Sequence, residues 1–129
     1  MNANPMIKSL ILLADDEDLV LDVAKAMIEY LGYEVITAKN GEEALQIFKE
    51  KQESIQLVIL DISMPGMDGL ACIGQIRQIS PIPALIASGL SQTISEEFLQ
   101  QHQVQGILPK PFTLDLLQQT IEHTLSLSH

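Results

Sequence analysis

The apolar run "LILLA" ends on an adjacent pair of carboxylates, Asp15 and Asp16, and a second run, "LVIL", ends on a lone carboxylate, Asp61. Ser88 closes a third apolar run in "ALIASG", and Lys110 follows a short fourth one in "GILPKPF". A charge at the tip of a buried strand is costly unless something pairs with it. Three carboxylates gathered in one place repel, and without compensation at least one would hold a raised pKa. A hard divalent cation relieves that repulsion, and Mg²⁺ prefers a few carboxylates plus waters to a full protein cage. Adjacent Asp15 and Asp16 cannot both point the same way from a strand end. One is expected to ligate directly and the other through a water, with Asp61 as a second direct ligand and the carbonyl of Ser63 in reach.

Each residue also has a plainer reading. Asp16, Glu17 and Asp18 precede an apolar helical pattern and would favour its N-terminal dipole. That accounts for one acidic group and leaves the lone Asp61 unexplained. Ser88 taken singly is a turn residue, and Lys110 a solvated lysine. Lys110 nevertheless sits between Pro109 and Pro111, which fix its backbone and keep it out of any regular element.

The elements that must position these groups follow from periodicity. Apolar runs occur at 8–14, 34–38, 57–60, 83–87 and 106–108, and helical spacing fills the intervals. The helical stripes are Val20, Val23, Ala24, Met27 and Leu31 in 18–31, then Ala44, Leu45 and Phe48 in 41–51. Leu70, Ile73 and Ile76 mark 68–79, a weaker set of Ile94, Phe98 and Leu99 marks 93–102, and Leu114, Leu117, Ile121 and Leu125 mark 113–127. Asn40, Asp68 and Thr113 are placed to cap three of these helices. Strand–helix alternation of this kind predicts an α/β architecture: a doubly wound, five-stranded parallel sheet with helices on both faces. The first, third and fourth runs suit interior strands, while the second, with Glu34 and Thr37, and the short fifth suit edges. Order 2-1-3-4-5 satisfies that pattern. Ligands then bind beyond the carboxyl ends of strands 1 and 3, where Asp15, Asp16 and Asp61 stand.

The 129 residues are expected to form a single domain with its core over about 7–127, and 47% of them are apolar. Seventeen acidic against seven basic residues give a net charge of −10, which disfavours a nucleic-acid groove or an anionic membrane as partner. A cation or a small basic protein suits such a surface better. One cysteine, Cys72, allows no internal disulfide and reads as an apolar filler. The N-terminal apolar stretch is short, runs into four acids and lacks a small-residue cleavage site, so it does not read as a signal peptide. No run reaches transmembrane length. The expected location is the cytoplasm.

Four segments, "ILLADDED", "LDISMPGMDG", "IASG" and "PKPF", fall in order at the ends of successive strands. Together they resemble the receiver domain of bacterial two-component response regulators over about residues 7–127. The resemblance implies a flavodoxin-like fold and a phosphoacceptor switch that assists its own phosphorylation and dephosphorylation, rather than an enzyme. It implies Mg²⁺-dependent phosphoryl transfer to Asp61 from a phosphohistidine on a sensor histidine kinase or a histidine phosphotransfer domain. Asp16, Asp61 and the Ser63 carbonyl would hold Mg²⁺, or Mn²⁺ in its place, with Asp15 acting through a bound water. Ser88 would donate to one phosphoryl oxygen and Lys110 would pair with another. A cis Lys110–Pro111 bond is also implied. Asp68 reads as a helix cap beyond the turn at Pro65–Gly66, not as a second acceptor.

One departure stands out. Relatives often carry Tyr or Phe three positions before the lysine, where this chain has Ile107. No direct nucleic-acid contact and no membrane insertion are expected. The last helical segment lacks Lys and Arg, which suggests a monomer or weak dimer. The principal alternative, a degenerate receiver used only for docking, would be expected to lack the acceptor, the acidic pair or the lysine. A phosphohydrolase would place an acid where Ser63 stands, and a flavin site would need a hydroxyl-rich loop where "DDED" would repel phosphate.

Overall fold

Five short strands carry the fold, and each apolar run becomes one of them. The computed structural model describes residues 9–89 and 94–127. In chain order the elements are β1 (Leu10–Ala14), α1 (Asp18–Tyr30), β2 (Glu34–Ala38), α2 (Gly41–Glu50), β3 (Ile55–Asp61), α3 (Gly69–Arg77), β4 (Ala84–Ser88), α4 (Glu96–Gln101), β5 (Gly106–Pro109) and α5 (Leu114–Leu127). The sheet is parallel, in the order β2-β1-β3-β4-β5. Ile7, Lys8 and Thr93, which open the expected core, first strand and fourth helix, lie outside the described residues. Among the described residues no helix is long and apolar enough to cross a membrane.

The period of two along each strand divides the core. Leu12, Val58, Leu60 and Ile86 join Phe48, Cys72, Ile73 and Ile76 on one side, beneath α2 and α3. Ile11, Leu13, Leu57, Ile59 and Leu85 join Leu21, Ala24, Ile28, Leu117 and Ile121 on the other, beneath α1 and α5. The central strands are therefore apolar on both faces, as parallel strands covered twice must be. Each fully buried Leu or Ile contributes about 1.5–3 kcal/mol, and this rigid base is what holds the polar strand tips in place.

The apolar stripe expected on α1 is corrected by the structure. Leu21, Ala24 and Ile28 face the sheet, whereas Val23 is 52% exposed. α1 carries two apolar stripes, and the sheet takes the one whose residues lie at i, i+3 and i+7. The expected caps are present: Asn40 accepts from the Glu43 amide at 2.8 Å, Asp68 from Ala71 at 2.8 Å and Thr113 from Leu116 at 3.2 Å. Asp68 is thus engaged as a cap. α4 is shorter than its periodicity suggested and begins at a cap the sequence reading did not name, Ser95, which accepts from the Phe98 amide at 3.0 Å.

Two glycines let the turn after β3 close against its neighbours. A methyl group on Gly69 would run into the carbonyl oxygen of Asp61, with the carbonyl carbon only 2.9 Å away, and one on Gly41 would meet the carbonyl of Met67. Backbone, unlike a side-chain tip, cannot turn aside. Gly69→Ala should therefore cost about 1–3 kcal/mol, the usual penalty of overpacking. Urea unfolding of the variant tests this, and an unchanged midpoint would contradict the close approach.

Candidate functional site

Strand register decides which residues meet. Ala14 pairs with Ala38 on one side and Leu60 on the other, so Asp15 and Asp61 reach the sheet edge at the same level on adjacent strands. Asp61 pairs in turn with Ala87, which puts Ser88 one residue farther along β4. Ser88 pairs with Pro109, and Lys110 follows directly.

Asp15, Asp16 and Asp61 each bring a carboxylate oxygen within 4.8 Å of the others. Asp15 and Asp61 are both 3% exposed, while Asp16 faces solvent. The Lys110 ammonium lies 3.0 Å from Asp15 Oδ2 and 3.1 Å from Asp61 Oδ1, with Glu17 Oε1 at 3.8 Å on the rim. Asp15 spends its other oxygen on the turn into α1, accepting from the Glu17 amide at 2.9 Å. Glu17 does not cap α1 with its side chain. The first acids of "DDED" therefore act at the sheet edge as well as at the helix start.

The electrostatics follow from burial and crowding. Burial is the largest influence on Asp61, the Lys110 hydrogen bond opposes it, and the charges of Asp15 and Asp16 add to it; its pKa is pushed up to about 6. Burial also works against the Lys110 ammonium, but hydrogen bonds to Asp15 and Asp61 outweigh it and hold the lysine above its ordinary value. A single ammonium faces three carboxylates. Oxygen-only donors with an excess of negative charge fit a hard divalent cation such as Mg²⁺.

The structure thus gathers Asp15, Asp16, Asp61 and Lys110. Ser88 stands at the same end of the sheet, nearly buried, with its hydroxyl donating to the Gly89 carbonyl at 3.1 Å. Ser63 is exposed, two residues beyond Asp61. The Lys110–Pro111 bond is cis. Cys72 is fully buried, its thiol pushed up to about 12 mainly by burial, which makes it filler and not a nucleophile. Sequence reasoning missed the contact of Glu17 with Lys110. It also missed a groove beside Lys110, lined by Leu19, Val20, Val23, Met27, Pro111 and Phe112. The second apolar stripe of α1 was its signal.

The shift at Asp61 has a consequence for stability. Its folded pKa of about 6 lies above the ordinary value of 3.8, so the ionised form is the one folding disfavours. Its contribution is fully present below pH 3.8 and is lost as pH rises through about 6. Without divalent cations, Asp61→Asn should therefore gain stability over wild type between those pH values, by roughly 1–3 kcal/mol at neutral pH. Urea unfolding across that range checks it, and a pH-independent difference would contradict the shift.

Comparison with known proteins agrees with this geometry. Residues 11–122 match the response regulator receiver domain family. The chain is 34% identical over 118 residues to a probable transcriptional regulator ycf27 of Porphyra purpurea, covering 92% of this chain and 48% of that protein. It is likewise 34% identical over 116 residues to the sensor kinase CckA of Brucella abortus, covering 89% of this chain and 12% of that protein. The chain thus spans about half the length, or less, of these curated relatives. Among solved structures, a response regulator receiver domain protein from Clostridium thermocellum superposes with a TM-score of 0.87 at 30% identity, covering 93% of this chain and 96% of that one. The receiver domain of the hybrid histidine kinase CckA gives 0.75 at 32% identity, covering 91% and 99%. With its sheet order, its acid cluster and its lysine in place, the chain belongs to the response regulator receiver domain family.

Proposed function

We propose that the chain is a phosphoacceptor switch, taking a phosphoryl group onto Asp61 from a phosphohistidine on a sensor histidine kinase or a histidine phosphotransfer domain. The observation that carries this reading is the Asp61 carboxylate at the strand tip, held between the two acids and hydrogen-bonded to Lys110. In the transfer an Asp61 oxygen bonds to phosphorus as the phosphorus–nitrogen bond to the imidazole breaks. Asp61 must be ionised to attack, and at neutral pH a group titrating near 6 is mostly so. Charge spreads over the equatorial oxygens during transfer, so positioned cations supply most of the catalysis. Lys110 is one such cation.

Asp16 and Asp61, with the Ser63 carbonyl, would hold Mg²⁺, and Asp15 would act through a water. When bound, the ion offsets carboxylate repulsion and adds positive charge where phosphoryl charge develops. Ser88 would give up its bond to the Gly89 carbonyl and donate to a phosphoryl oxygen instead. That exchange of partners at the end of β4 is the start of the conformational signal. Ile107 is 39% exposed on β5, so no aromatic ring at that position takes part in the signal. A docking-only role is disfavoured because acceptor, acidic pair and lysine are all present at one site.

The apolar groove beside Lys110 suits the phosphodonor protein. Leu19 and Val23 are 76% and 52% exposed along α1 and lead toward the acid cluster. A helix presenting its phosphohistidine to Asp61 could seat its apolar side there.

Labelling by a small acyl phosphate, compared with transfer from a phosphohistidine protein, tests both parts. Wild type should take up phosphate only with Mg²⁺, and Asp61→Asn should take up none. Val23→Glu should slow transfer from the protein donor about tenfold more than it slows labelling by the small donor, the usual size of a lost interface anchor. Labelling without a divalent cation, or full labelling of the Asn variant, would sink the assignment.

A further inference from the structure

Ser63 lies in the loop that joins β3 to α3, and its carbonyl can serve a cation beside Asp61 only while that loop holds one shape. The base of the loop is tied by backbone. The Gly69 amide donates to the Ile62 carbonyl at 3.2 Å, and the Ile62 amide donates to the Ala87 carbonyl on β4 at 2.9 Å. Its inner side is apolar: Met64 is buried in the core beneath α2 and α3, and Met67 packs against the same cluster. These contacts set how deep the loop sits. Apolar packing is non-directional, so it does not decide which way the peptide groups of the turn point.

The outer limb of the loop meets α2. Glu42, in the first turn of that helix, accepts from the Met67 amide with Oε1 at 3.4 Å. Its carboxylate also fills the space a side chain on residue 66 would need: a methyl group on Gly66 would stand 2.8 Å from Oε2 and 3.1 Å from Oε1. Gly66 has a φ of 72°, a left-handed conformation that glycine adopts without steric cost, so one residue supplies both the turn and the room. The helix start that carries Glu42 is itself anchored. Glu43 accepts from the Lys39 amide at 2.7 Å beside the Asn40 cap, and the Cys72 thiol donates to the Gly41 carbonyl at 3.5 Å. A carboxylate in the first turn of a helix is favourable for the dipole wherever it points. Glu43 meets that need while turned back on Lys39; Glu42 is turned onto the loop.

We infer that Glu42 is a positioning residue for the cation site: its carboxylate orients the Pro65–Met67 turn and so holds the loop in the shape that presents the Ser63 carbonyl beside Asp61. The inference rests on the reading of that carbonyl as an Mg²⁺ ligand. The hydrogen bond is long and lies at the surface, so its effect on the site is modest. Coupling between two contacts is reciprocal. If Glu42 tightens the hold on Mg²⁺ by some factor, a filled cation site tightens the Met67 amide on Glu42 by the same factor.

Mg²⁺ titration of the whole chain by calorimetry, with exchange of the Met67 amide followed by NMR, tests this in wild type, Glu42→Gln, Glu42→Ala and Asp61→Asn. Gln keeps an oxygen acceptor and removes the charge, whereas Ala removes both. Wild type should bind one Mg²⁺, and Asp61→Asn should bind it far more weakly. Glu42→Ala should bind it about fivefold more weakly than wild type, the usual size of a lost hydrogen bond, with Glu42→Gln within about twofold. Saturating Mg²⁺ should slow exchange of the Met67 amide about fivefold in wild type and leave it unchanged in Glu42→Ala. Wild-type affinity in Glu42→Ala would overturn the inference, and equal weakening in Gln and Ala would overturn it in favour of a charge acting through space. The wild-type exchange measurement needs no variant to fold, and a Met67 amide indifferent to Mg²⁺ would refute the coupling by itself. Asp61→Asn binding as tightly as wild type, or wild type binding no Mg²⁺, would instead overturn the reading of the ion site, and the role of Glu42 with it.

Discussion

The repulsion among three carboxylates at one sheet edge is the constraint on which the rest of the structure depends. Strand order β2-β1-β3-β4-β5 makes β1 and β3 neighbours whose following helices pack on opposite faces, and the register delivers Asp15 and Asp61 to the same level. Left in water the carboxylates would move apart. Here they cannot, because β1 and β3 are buried on both faces and their backbones are locked in ladders. The core therefore holds an electrostatic cost at the strand tips: the pKa of Asp61 is raised, chiefly by burial, with the charges of Asp15 and Asp16 adding to it. Lys110 offsets part of it, reaching across from beyond β5 to touch both acids. A site with surplus negative charge and one ammonium fits a divalent cation.

The same constraint explains why the connections around the site are tight. The turn after β3 passes so close to β3 and α2 that Gly69 and Gly41 have backbone carbonyls where side chains would begin. Met67 donates to Glu42 at 3.4 Å, a longer contact at the same junction. This clamps the chain away from the Asp61 carboxylate and keeps the crevice open. β4 and α4 are built differently. Ser88 satisfies its hydroxyl locally, on the next residue's carbonyl, a partner that a phosphoryl oxygen could readily replace. On the proposed reading of Asp61 as acceptor, firm support under it and an exchangeable bond beside it are what a switch needs from its two flanks.

Much of this was legible in the sequence. Continuous apolar runs ending on Asp15, Asp16 and Asp61 led to the sheet order, and the sheet order led to the site. The caps Asn40, Asp68 and Thr113 were readable because capping is local chemistry over three residues. What escaped was long-range or degenerate. α1 offers two apolar stripes, Leu21 with Ala24 and Ile28 and the other with Val23, and only the angle at which α1 packs decides which one faces the sheet. Lys110 was placed near the site, but its bridge to Asp15, 95 residues away, depends on the side-chain path past Pro109. The reach of Glu42 offered no signal, since its partner is a bare amide 25 residues on, and an amide has no sequence.

The central claim is that the carboxylate the fold isolates at the tip of β3 is the one that carries the phosphoryl group. Borohydride reduction of the phosphorylated chain, followed by peptide mass mapping, tests it most directly, because an acyl phosphate is reduced to the alcohol while a free carboxylate is not. The account predicts homoserine at position 61, with Asp15, Asp16 and Asp68 unreduced. Reduction at any of those three instead, or phosphate recovered as a stable ester on Ser88, would contradict it.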